Sequence, residues 1–135
     1  MIMIKKELIL ECFNKEGLEE IDEITYKDNI HVYNFFYAFD GVELEAARDY
    51  ADQNYNEAEG EENWNEEHFL PYLTEMASEN ISDMIEDLCS EHGLVGEFVV
   101  YELERSRHDK CEFTVVIADK GVKFDIEKIM DELEL

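Results

Sequence analysis

The side chains of this 135-residue chain suited to chemistry are carboxylates, three cysteines and four histidines. Cys89 and His92 stand three apart, one helical turn, which is a spacing for two zinc ligands or for a thiol and its base. A closed zinc site needs four ligands, and Cys12, Cys111, His31, His68 and His108 offer no second close pair. An activated thiol needs a third group to orient the base, and none is evident. Cys89 reads as a small core residue beside Leu88 and His92 as a helix end.

Calcium chemistry comes closest around residue 52. Asp52, Asn54 and Asn56 match the first three ligand positions of an EF-hand loop, but Glu57 stands at the turn glycine and Asn63 at the final bidentate acid. What remains is weak divalent binding around Glu57, Glu59, Glu61 and Glu62, so no cofactor is expected. Carboxylate catalysis needs two acids across a cleft, one with a raised pKa. Glu102 and Glu112 are the only acids in apolar strand centres, and alternation places them outward. The chain contains no P-loop, GxGxxG, GxSxG or HExxH pattern, so no enzymatic reaction is assigned.

The carboxylates matter more in bulk. Thirty-six acids against eleven Lys and Arg give a formal charge of −25, where a small domain carries a magnitude of roughly 2–8. Residues 41–95 hold sixteen acids and the single base Arg48. Within them Glu75, Glu79, Asp83 and Glu86, with Asp87 beside, recur at steps of four, four and three opposite an apolar stripe. At a rise of about 1.5 Å per residue the steps set one carboxylate every ~4.5–6 Å, like a row of nucleic-acid phosphates. A basic groove that binds such a row releases counterions as it does on DNA. Glu43, Asp49 and Asp52 on a preceding helix, and Glu59, Glu61 and Glu62 in an exposed acidic loop at about 56–67, supply a second row. Trp64 in that loop is a residue type that anchors interfaces.

Three readings follow. The first is a non-enzymatic acidic protein that engages a basic protein surface, as a nucleic-acid mimic inhibiting a DNA- or RNA-acting protein. The second is an acidic adaptor or immunity-type protein that binds through Trp64 and its loop. The third is a small cytoplasmic protein whose acidity serves solubility or salt tolerance. Arg105, Arg107, His108 and Lys110 are the only basic cluster, too small a footprint for direct nucleic-acid binding. No apolar run reaches the roughly 18 residues of a spanning helix, and Met1 to Ile4 is too short for a signal peptide's apolar region. Three cysteines inside apolar patterns fit buried thiols in a reducing cytoplasm. Self-association is left open.

The elements that must position these groups are legible from periodicity. Ile4, Leu8, Ile9 and Cys12 suggest a first helix, with a short strand as the competing reading. Residues 24–26 and 30–39 read as strands about a turn at Lys27, Asp28 and Asn29. Asp40 and Glu43 form a capping box for a helix to about Tyr55. Phe69, Leu73, Met76, Ala77, Ile81, Met84, Ile85 and Leu88 stripe a long helix that stops at Gly93, with Pro71 in its first turn and 65–70 as a separate turn. Residues 97–104 and 111–118 form a hairpin, 122–124 a further short strand, and Asp125 caps a closing helix. The order is roughly αββα twice. The expected fold is one α+β domain over 1–135, an antiparallel or mixed sheet of about four strands covered on one side by three to four amphipathic helices.

Overall fold

A computed structural model describes residues 5–135, Lys5 by its backbone alone. The expectations for Met1 to Ile4, including the place of Ile4 in the first stripe, lie outside the described residues.

The chain runs α1 (Lys5–Lys15), β1 (Glu19–Lys27), β2 (Ile30–Ala38), α2 (Gly41–Asn54), a 3-10 turn (Glu57–Glu59), α3 (Gly60–Glu62), a π-helical stretch (Asn63–Phe69), α4 (Leu70–His92), β3 (Leu94–Val100), β4 (Lys110–Asp119) and α5 (Ile126–Glu132). The four strands form one antiparallel sheet in the order β1-β2-β4-β3. Two hairpins therefore lie side by side, joined through β2 and β4, and the α+β expectation holds.

Alternation along β2 and β4 divides the core. Tyr33, Phe35, Phe113, Val115 and Ile117 point to one face and pack with Ile9 and Phe13 of α1, Ala47 and Ala51 of α2, and Leu73, Ala77, Ile81 and Leu88 of α4. Val32, Val116 and Ala118 point to the other, where Ile129 of α5 joins them. Cover on one face thus describes α1, α2 and α4, while α5 closes one end of the opposite face. Each half has the order αββα, but α2 and α5 fall on opposite faces, so the layers do not repeat.

Local signals set the element ends. Asp40 caps α2 through the Glu43 amide at 2.8 Å, and Glu43 returns a carboxylate oxygen to the Asp40 amide at 3.0 Å. Gly93 ends α4 at φ +64°, the left-handed cap that favours glycine. Asp125 caps α5.

Several expectations differ from the structure. The strand expected at 97–104 runs Leu94–Val100, which leaves Glu102 beyond its end. The acidic 19–23 segment is strand, extending β1 along an edge where outward acids are solvated. Residues 122–124 are not strand; Val122 and Phe124 pack toward α5 instead. The expected loop at 56–67 and the separate turn at 65–70 are helical, and Asn63–Phe69 runs without interruption into α4. A π-helix bonds i to i+5, as the Leu70 amide does to the Asn65 carbonyl. Its side chains therefore escape a search for steps of three and four. Trp64 and Phe69, five apart, stack at 4.7 Å. Pro71 follows at once, where the wider turn accommodates a residue with no amide hydrogen.

Candidate acidic binding face

Helix α4 packs against the edge strand β3, with α2 as a helical neighbour. Its buried stripe, Leu70, Leu73, Ala77, Ile81, Met84, Ile85 and Leu88, turns the opposite side to solvent. Glu75, Glu79, Asp83 and Glu86 all lie exposed on that side, and none takes part in an ion pair among the described residues. The row follows from the stripe: a helix that buries one side at steps of three and four must expose the residues between.

Neighbouring elements mark the row's flanks. On one side the Asn80 amide donates to the Tyr37 hydroxyl at 2.7 Å, and Tyr72 stacks on Tyr50 of α2 at 4.9 Å. Tyr50 stands at that seam 42% exposed. Asp87 faces away from the row, into a cleft with Leu8, Cys12 and Lys15 of α1. On the other side Glu75 and Glu86 border clefts between α4 and β3.

The remaining acids divide by what they hold. Glu43 caps α2 and also accepts the Tyr37 hydroxyl at 2.6 Å. Asp52 accepts the Trp64 indole N–H at 2.8 Å, and Glu59 accepts the Asn63 amide at 2.7 Å. These three carboxylates are hydrogen-bonded to neighbours within the fold, with Asp52 and Glu59 still exposed. Asp49, Glu61 and Glu62 are exposed. Trp64 is half-buried, with one ring face on Phe69 and its N–H on Asp52. It ties the π-helical stretch to α2.

The basic cluster is answered locally. Arg105 pairs with Glu66 at 3.0 Å, Lys110 with Glu19 at 2.7 Å and Glu20 at 3.7 Å, and the Arg107 guanidinium sits 5.9 Å from the Phe36 ring centre. The hydrogen bond from Lys110 to Glu19 raises its ammonium pKa. The thiols move the wrong way for nucleophilic work, which needs a lowered pKa. Burial raises Cys12 and Cys89, and takes Cys111 to about 12. Among the described residues no group of three His, Cys, Asp or Glu is placed to hold a metal ion, and no helix is long and apolar enough to cross a membrane.

Sequence reasoning missed the seam between α4 and β3. Gly96 is its one sequence mark, and only packing explains it: a Cβ there would lie 2.8 Å from Ile85 Cγ2 and 3.2 Å from Cys89 Sγ. The glycine lets the helix approach the strand closely. No protein-family model, curated protein or solved structure matches this chain.

Proposed function

We propose that this chain is a non-enzymatic binding protein whose acidic face engages a basic protein surface, as a nucleic-acid mimic inhibiting a DNA- or RNA-acting protein. The observation that carries this reading is the exposed row Glu75, Glu79, Asp83 and Glu86 on the solvent side of α4, free of ion pairs among the described residues. A rigid helix holds these carboxylates without help from neighbouring bases. A partner built to neutralise phosphates gains from them the same counterion release. The reading through Trp64 has less support, because its N–H and one ring face are already used within the fold.

The test is capture from an extract of the native cells by wild type and by E75Q/E79Q/D83N/E86Q, at low and high salt, with duplex DNA as competitor. The expected captured proteins are nucleic-acid-binding, leave with rising salt, are displaced by DNA and are lost by the variant while its circular dichroism spectrum stays unchanged. Capture that the four substitutions leave unaltered overturns the proposal.

A further inference from the structure

The two edges of the sheet are built differently. β1 carries Glu19, Glu20, Asp22 and Glu23, its register with β2 shifts twice, and Glu20 sits at φ 51°. Charges and bulges of this kind keep an edge strand from accepting another. β3 has neither defence. It runs Leu-Val-Gly-Glu-Phe-Val-Val in unbroken register with β4, with Glu97 as its single charge.

The Lys120 amide donates to the Gly93 carbonyl and the Tyr101 amide to the Glu112 carbonyl, which sets the phase of the ladder. Alternate residues of an antiparallel strand bond toward the same neighbour. The odd positions therefore face β4, and the N–H and C=O groups of Leu94, Gly96, Phe98 and Val100 point to the open edge. No strand pairs there among the described residues. A cleft of about 440 Å³ borders this edge, with Ile85, Cys89, Phe98 and Ile126 of α5 as its apolar lining and Glu86 and Glu97 as its charges. A second, of about 430 Å³, continues toward the start of α4 with Glu75 and Glu102.

We propose that the β3 edge accepts an extended basic segment of the partner as a fifth strand. This rests on the basic partner of the preceding section and says how that partner docks. Backbone groups of the incoming segment pair with Gly96 and Phe98, its apolar side chains enter the cleft over Ile85 and Cys89, and its Lys or Arg side chains, on the alternate face, meet Glu97. Main-chain bonds supply affinity and the alternating side chains supply selectivity. Charge complementarity chooses this occupant over a second copy, which would bring another −25 to the same rim.

The experiment uses the isotope-labelled full chain and the synthetic peptide Lys-Val-Lys-Val-Lys-Val-Lys, beside the same peptide N-methylated at every residue. The methylated form keeps the charge and loses the backbone donors. The expected result is slowing of Gly96 and Phe98 amide exchange by about tenfold or more with the first peptide, and affinity weaker by about tenfold or more for the second. The exposed substitution E97K is expected to weaken the first peptide by a similar factor. Equal affinity for the two peptides, no binding of either, or unprotected Gly96 and Phe98 amides overturns strand addition. So does a dimer that protects those amides without peptide, which would make a second copy the occupant. The acidic-row reading fails separately, through the capture experiment, which uses neither peptide.

Discussion

The indole N–H of Trp64 donates to Oδ1 of Asp52 at 2.8 Å, across the join between α2 and the π-helical stretch. With the Trp64–Phe69 stack, it holds the acidic 57–67 segment on the core as helix. Truncation of Trp64 to alanine removes both contacts and part of the core lining, and is expected to cost about 2–3 kcal/mol, below the range of about 3–5 for a fully buried ring. Asp52→Ala, which leaves the stack, is expected to cost about 1 kcal/mol. Urea unfolding followed by tryptophan fluorescence for Asp52→Ala, and by circular dichroism for Trp64→Ala, measures both.

Gly96 of β3 lies close against Ile85 of α4. Gly96→Ala places a Cβ 2.8 Å from Ile85 Cγ2, a contact that overpacking data put at about 1–3 kcal/mol. Removing the facing thiol and branch methyl with C89A and I85A is expected to recover part of that loss. A double-mutant cycle in urea reads the coupling directly; strictly additive effects would contradict the contact.

Tyr33 is fully buried against the edge of Phe13 at 5.3 Å, and its hydroxyl has no hydrogen-bond partner among the described residues. An unpaired buried hydroxyl costs about 1–3 kcal/mol, whereas the ring packing survives its removal. Tyr33→Phe is therefore expected to be neutral or stabilising, with an unchanged or higher urea midpoint.

Alkaline pH is expected to weaken the fold. Burial lifts Tyr33 to about 12 and Cys111 from 9.0 to about 12, and burial with the Glu43 hydrogen bond lifts Tyr37 to about 12. Below the unfolded values of 9.0 for the thiol and 10.0 for the phenols, both states hold these protons and the full stability is present. Above them the unfolded chain releases its protons first, so it binds fewer than the folded chain and stability falls as pH rises. The loss continues until the folded groups titrate near 12. Urea midpoints measured across that window check the sign, and Tyr33→Phe is expected to show a shallower decline.

Salt is expected to stabilise the isolated protein. A net charge of −25 repels itself in the compact state, and raising ionic strength from about 0.01 M to about 1 M shortens the screening length from roughly 30 to 3 Å. Thermal unfolding across that range is expected to show a rising midpoint, and the E75Q/E79Q/D83N/E86Q variant a smaller rise than wild type.

The amino-acid order alone determined the amphipathic elements and the acidic crest. The α4 stripe from Leu73 to Leu88, the Asp40–Glu43 box and the alternation of Cys111, Phe113, Val115 and Ile117 are local patterns, because burial on one side repeats with the period of the backbone itself. An exposed row at Glu75, Glu79, Asp83 and Glu86 follows from the same period. Tertiary structure decided what depends on partners distant in the chain. The 57–67 segment is helical because the π-turn brings Trp64 onto Phe69 and α2 supplies Asp52, a match invisible to an α-helical period. Glu43, Asp52 and Glu59 became structural carboxylates, and Asp87 turned toward α1, through neighbours that spacing does not name. Strand order, above all, is a pairing between segments: placing β4 between β2 and β3 left β3 as an edge among the described residues, with its outward backbone groups beside the acids of α4.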